Sequence, residues 1–382
     1  MNVSAIKRNN GFIAAFKASA RSGNTPEAAI TNGLRKDFAR ALEARTLQAD
    51  KVPSFGLLLK YSYYDSGKNS WPGIDTMDKA PWDSLSSASD SYAQFGTGEV
   101  RAINMAIRDG MLDDIPADVH YMSLGPGSVA SFVAKDCKIL SGLKATNHNL
   151  ISATTVDIND RYARDAATEI YETFNCDAVA YQLDFFTSAL PKIPLSAKVT
   201  PVIGSFGGTL QNMPHTAEKS QREATLEFYM KLRGNLPNAH LIMTVDAPAA
   251  NIPPSIITAP YQYSLENELF ILNFMARAKD QGIILDTDYN ILRHWKTPDP
   301  VWKDGAVNLY AEAKTDHTLH TVDDTYGIRA GQRISVSTSQ KAPIETHVGL
   351  LKEAGFTHVA YYPQNSQMPE TEVGKYILHA AP

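Results

Sequence analysis

The chain has 382 residues, 43% of them hydrophobic and 20% charged, which excludes a disordered tail or a fibre and gives room for two to three structural units. With 36 basic against 41 acidic residues the formal charge is −5, and no basic stripe stands out, so a nucleic-acid partner is not expected. Two cysteines, Cys137 and Cys176, are too few for a disulfide framework and suit a reducing compartment.

At the start of the chain Lys7 and Arg8 precede an apolar stretch, 12–16, that Lys17 interrupts at once. This is too short for a secretory segment, and no later run approaches the roughly 20 apolar residues that cross a bilayer. A cytoplasmic protein with no membrane partner is expected. Thr25-Pro26 supplies a cap oxygen and then proline for a helix carrying Ile30, Leu34, Phe38 and Leu42 as one apolar stripe. Residues 62–98 are rich in Ser, Tyr, Asp and Gly, with Trp71 and Trp82 embedded, and read as a long functional loop.

The pattern changes near residue 117. Residues 119–124 read as a buried strand that runs directly into Gly125-Pro126-Gly127-Ser128. Further strands are expected at 151–158, 178–183, 199–205, 240–245 and 358–362, with helices at 165–174 and 216–233 and a helix end at 350–356. Strands alternating with helices at this spacing predict a doubly wound parallel sheet. Residues 247–340 interrupt the alternation and read as a substrate-side insertion.

Ligands of such sheets bind beyond the carboxyl ends of the strands. Gly125 and Gly127 let the backbone pass close to a ligand. Asp157, ending the next strand, is placed to hold two ribose hydroxyls, and Asp184-Phe185 could pair with an adenine amine and flank its ring. The third glycine of the dinucleotide fingerprint is absent, because position 130 is Ala, and no P-loop lysine follows. Together these favour S-adenosylmethionine over NAD or ATP.

From about residue 57 to 378 the sequence resembles the histidine Nα-methyltransferase family of ergothioneine biosynthesis. The matching segments are Tyr64-Asp65-Ser66-Gly67, the loop 123–128, Gly207-Gly208-Thr209-Leu210-Gln211-Asn212, Thr244-Val245-Asp246, Phe270-Ile271-Leu272-Asn273, and the elements around Gly331-Gln332 and Ser339-Gln340-Lys341. The resemblance implies an α/β class I S-adenosylmethionine methyltransferase fold, a Rossmann-like parallel sheet with a helical N-terminal cap and an α+β substrate-binding insertion. It implies a cap and substrate loop over 1–115, the cofactor-binding sheet over 116–246 and 341–382, and the insertion over 247–340. Carried over by position, Asn212 and Gly207 would hold the amino and carboxylate end of an amino-acid substrate. Tyr64 would sit near the reacting amine, Tyr261 or Tyr263 near the carboxylate, and Ser339 on the side chain. Two positions depart from the family. Its acidic residue opening the cofactor loop is Ser123 here, and its imidazole-gripping glutamate is Ser337, which has neither the charge nor the reach for that contact.

Methyl transfer from a sulfonium needs alignment and a neutral nucleophile more than a metal or a strong base. Tyr64, Tyr92 or Phe185 could add cation–π stabilisation of ~0.5–2 kcal/mol. The expected activity is α-N-methylation of a free amino acid other than histidine. One alternative is cyclisation of the cofactor itself to azetidine-2-carboxylate with release of methylthioadenosine, making the cofactor its own partner; another is a non-catalytic adenosyl-binding module. His317 and His320 lack the companions of a zinc site, Ser123 and Ser205 lack a nucleophile-elbow context, and Cys137 reads as buried and inert.

Overall fold

A computed structural model of the chain describes residues 2–6, 13–17, 35–36, 38–43, 91–186, 188–213, 219–249, 252–261, 265–303, 305–364 and 373–382. Tyr64 and Tyr263 lie outside these residues, as does the expected start of the first helix. Residues 38–43 are helical, and the Phe38 ring packs 6.0 Å from that of Phe274.

The strands in chain order are β1 (Asn2–Ile6), β2 (Ile13–Lys17), β3 (Asp118–Leu124), β4 (Asn149–Asp157), β5 (Ala178–Gln182), β6 (Thr200–Ser205) and β7 (His240–Pro248). A second group follows: β8 (Trp295–Lys296), β9 (Val301–Lys303), β10 (Ala306–Ala313), β11 (His317–His320), β12 (Thr325–Ile328) and β13 (Arg333–Gln340). The chain then closes with β14 (His358–Pro363) and β15 (Val373–Ala381). The main sheet runs β14-β15-β7-β6-β3-β4-β5-β1-β2. Its inner strands β7, β6, β3, β4 and β5 are parallel, as expected, and every strand added at either edge is antiparallel to its neighbour.

Alternation of side chains along β3 builds two cores. Val119 and Tyr121 face one side with Ile103 of α1 (Ser91–Arg108), Phe132 of α2 (Val129–Ala134), Leu140 of α3 (Asp136–Ala145) and Ile170 of α4 (Asp160–Phe174). Met122 and Leu124 face the other with Phe228 of α5 (Gln221–Asn235). A strand covered on both faces is buried along its length, which is why β3 and β7 are near-continuous buried runs whose polar members find partners, as Ser123 does in Asp136.

The second sheet, β13-β10-β8 with β9 on β10, packs its core with α6 (Leu265–Asp280), whose Leu272 and Phe274 are buried beside Trp295 and Val336. The ends of this insertion meet: Lys341, just past β13, donates to Asp246 Oδ2 of β7 at 2.6 Å, and Lys375 of β15 pairs with the other oxygen.

Several boundaries differ from the sequence reading. Residues 91–98, expected in the long loop, open helix α1. Helix α4 begins at Asp160 rather than 165, because Asn159 caps it by accepting from the Arg161 and Tyr162 amides. Helix α5 begins at Gln221 after a reciprocal capping box between Ser220 and Glu223. Strands β1, β2 and β15 have no counterpart in that reading.

Candidate active site

The chain leaves β3 into Gly125, at φ +71°, and passes Gly127, at φ +65°, before Ser128 caps α2. A side chain on Gly125 would be strained by its backbone angle and would bring a Cβ to 2.9 Å from Thr209 Cγ2, so the loop lies tightly against the turn after β6. Asp157 is the last residue of β4 and is buried; its Oδ1 accepts from the Asn159 amide at 2.8 Å and its Oδ2 from the Gly127 amide at 3.3 Å. Burial pushes this carboxyl up to about 6, and the backbone donors offset only part of that cost. Asp184 follows β5, with Oδ1 accepting from the Phe186 amide at 3.1 Å. Phe185 and Phe186 have ring centroids 4.6 Å apart and abut Phe228.

These pieces line one cleft of about 890 Å³, counting the space open to solvent. The cleft brings together Gly125, Gly127, Asp157, Asp184, Phe185, Gly207, Asn212 and, from the insertion, Ser337. Gly207 and Gly208 both have positive φ, a sharp turn that leads into the single turn of 3-10 helix ending at Asn212. Asn212 Oδ1 is buried and has no hydrogen-bond partner among the described residues. Ser337 sits where the β10–β13 register shifts, so an irregularity in the ladder aims it into the cleft. Tyr261 and Ser339 do not line the cleft; the Tyr261 hydroxyl donates to Ser339 Oγ at 3.4 Å, and the Lys341 ammonium lies 5.6 Å from the Tyr261 ring centre. Tyr92 lies on the first turns of α1, and Tyr64 lies outside the described residues.

Sequence reasoning missed two charged residues here. Lys135 lines the cleft, and Glu99, reaching over from α1, pairs with it at 2.7 Å. Burial would raise the Glu99 carboxyl, yet Lys135, with Lys375 and the Gly207 amide, holds it below the usual range. Lys135 had a legible signal, since Ser128, Ser131 and Lys135 follow the glycine loop at helical spacing. Glu99 had none. Ser123 itself donates to a buried carboxyl that does not line the cleft: Asp136 on α3, whose Oδ1 accepts from Ser123 at 2.7 Å and Tyr121 at 2.8 Å. Burial pushes that carboxyl up to about 6 despite both donors.

A family profile described as histidine-specific, S-adenosylmethionine-dependent methyltransferase matches residues 107–372. The chain belongs to that family. It is an S-adenosylmethionine-dependent methyltransferase with the class I fold. The residues present fit that group: a glycine cradle that a Cβ would fill, a buried carboxylate at the end of β4, and an aromatic pair at the end of β5.

Among solved structures, the methyltransferase is similar to PigF with S-adenosyl-homocysteine, at 12% identity and TM-score 0.36, over 84% of this chain and 68% of that one. It is also similar to a COG1565 superfamily member from Burkholderia thailandensis bound to S-adenosyl-homocysteine, at 11% identity and TM-score 0.40, over 94% and 95%. A third is the DszA carbon methyltransferase, at 12% identity and TM-score 0.38, over 93% and 67%. No curated protein matches. Among the described residues of this methyltransferase, no helix is long and apolar enough to cross a membrane.

Proposed function

We propose that this methyltransferase acts on the α-amine of a free amino acid whose side chain is not imidazole. The observation that carries the reading is the buried, unpartnered Asn212 Oδ1 in the cleft. A buried acceptor left unmade costs ~1–3 kcal/mol, so its position calls for an N–H donor from the ligand. Gly207 supports the same conclusion. Its own amide hydrogen is donated to Glu99, so its carbonyl is the backbone group left to offer the ligand. Two acceptors, Asn212 Oδ1 and the Gly207 carbonyl, suit the two hydrogens of a neutral amine and leave its lone pair directed away from both. Neither group is a base; the amine binds as its neutral fraction and its surplus proton goes to water.

Bound S-adenosylmethionine supplies a sulfonium methyl with a neutral thioether as leaving group. Asp157 accepts from the ribose hydroxyls, Asp184 and Phe185 hold the adenine, and Gly125 and Gly127 keep side chains out of the path. At the far end Ser337 offers one neutral hydroxyl, which lacks the charge and the reach of a glutamate for gripping an imidazole, and this favours a compact neutral side chain.

The test is incubation with the cofactor and each of the twenty amino acids, reading products by mass. The expected result is S-adenosyl-homocysteine together with a singly or multiply N-methylated amino acid other than histidine. Methylthioadenosine formed with no acceptor present would overturn the reading in favour of attack by the cofactor's own amine on its γ-carbon.

A further inference from the structure

Glu99 is 2% exposed and makes one compact junction. Its Oε1 accepts from the Gly207 amide at 2.5 Å and from the Thr244 hydroxyl, and its Oε2 meets the Lys135 ammonium at 2.7 Å. One carboxylate of α1 therefore ties together two pieces that line the cleft, Lys135 at the α2–α3 junction and Gly207 in the turn after β6, and anchors both to Thr244 of strand β7. Gly207 and Lys135 also lie against each other, since a Cβ on Gly207 would come 3.4 Å from the Lys135 nitrogen.

We propose that Glu99 is a positioning residue for methyl transfer, which keeps the amine-binding corner free of donors by capturing the Gly207 amide and the Lys135 ammonium. The proposal rests on the amine-methylation reading above. An amine attacks through its lone pair. An N–H or ammonium aimed at the same corner would bind that lone pair, and a nucleophile holding a hydrogen bond on its attacking electrons has to break it first. Glu99 takes up the Gly207 N–H and holds the Lys135 ammonium against its own Oε2, which leaves the Gly207 carbonyl and Asn212 Oδ1 to meet the amine. Thr244 holds the carboxylate in register from the opposite side. A buried carboxylate is costly unless it is paired and fully hydrogen-bonded, and three donors satisfy Glu99 while confining it to this one orientation.

The test compares Glu99→Ala, Glu99→Gln and Glu99→Gln with Lys135→Met in the full chain. Selective 15N-glycine labelling reads the exchange of the Gly207 amide, and steady-state kinetics with calorimetry of S-adenosyl-homocysteine read the site. In Glu99→Ala the Gly207 amide is expected to exchange at least ~10-fold faster, because its acceptor is gone. Turnover is expected to fall about 10- to 100-fold, with affinity for S-adenosyl-homocysteine within about threefold of the wild type, a kcat loss that a general loss of structure would not produce alone. In the double variant the glutamine oxygen still accepts the Gly207 amide and Met removes the second donor, so turnover recovers at least ~5-fold over Glu99→Gln. Unchanged amide exchange, unchanged turnover, or a double variant no better than Glu99→Gln each overturns the proposal. If Glu99→Ala does not fold, turnover of Glu99→Gln against the wild type and against the double variant decides, since the Gln variants keep the Gly207 acceptor. A wild-type enzyme that methylates no amine sinks the parent reading, whereas the amide exchange reports the Glu99 contact independently.

Discussion

Replacing Asp157 with Asn removes one negative charge at nearly constant shape, in a position where both carboxylate oxygens already accept a backbone amide, from Asn159 at 2.8 Å and Gly127 at 3.3 Å. An asparagine oxygen can keep one of these; its NH2 then faces the other N–H, donor against donor. Hydrogen bonds to a charged acceptor are worth ~1.5–3 kcal/mol, so losing the charged acceptor for ribose hydroxyls lowers S-adenosyl-homocysteine affinity by roughly 10- to 150-fold. A second measurement exploits the carboxyl's raised value of about 6. Hydroxyl donors bind the ionised form, so wild-type affinity should be flat above pH 7 and fall about tenfold by pH 5, following the ionised fraction. Stability of the free protein runs the other way. The folded state holds this proton more tightly than the unfolded chain, so Asp157 favours folding below about 4 and that contribution is lost as pH rises through about 6. Calorimetry across pH 5–8 on wild type and Asp157→Asn tests both. An Asn variant binding within threefold of the wild type, or a wild-type affinity that stays flat down to pH 5, would refute the ribose assignment.

Asn212→Ala is expected to lower turnover at least ~100-fold with cofactor affinity nearly unchanged, measured by kinetics and calorimetry in parallel. Ser337→Glu restores an acidic group at the far end of the cleft and should raise activity on histidine at least ~10-fold relative to the wild type's preferred acceptor, read by competition between the two. Gly125→Ala meets both the positive φ and the Thr209 contact, and should destabilise the loop by ~1–2 kcal/mol and abolish detectable cofactor binding. His240 and His379 stack in the sheet with nitrogens 2.9 Å apart, and burial holds His379 down near 4. Their neutral packing stabilises above the ordinary histidine range, and that contribution is lost as pH falls from about 6.5 through about 4, so the melting temperature should drop over this window and His379→Gln should flatten the drop.

The cofactor side of the cleft was readable because its signals are local. A buried strand running into glycine, and an acidic residue at the end of the next strand, are adjacent along the chain, and strand direction alone brings Gly125, Asp157 and Asp184 to one edge. The reading stopped where partners are chosen by packing. Nothing near Glu99 in sequence announces Lys135, Gly207 or Thr244, and nothing near Ser123 announces that its hydroxyl meets Asp136. Strand β15 has ordinary apolar content, and only insertion between β7 and β14 makes it an inner strand. The early start of α4 was legible in principle, since Asn159 is a capping residue whose signal was outweighed by the polar stretch after it.

The ion pair between Asp246 and Lys341 closes a loop of chain at its base. The chain leaves the main sheet after Pro248, two residues past Asp246, carries Ser337 on β13, and returns beside Asp246 at Lys341. Such a stretch can be exchanged as a cassette without rethreading any strand of the methyl-donor half. Under the proposed assignment of Ser337 to the acceptor's side chain, changing this one segment would change acceptor choice while leaving the donor half as it is. An engineer wishing to redirect the enzyme would cut after Pro248 and before Lys341, leaving the ion pair in place.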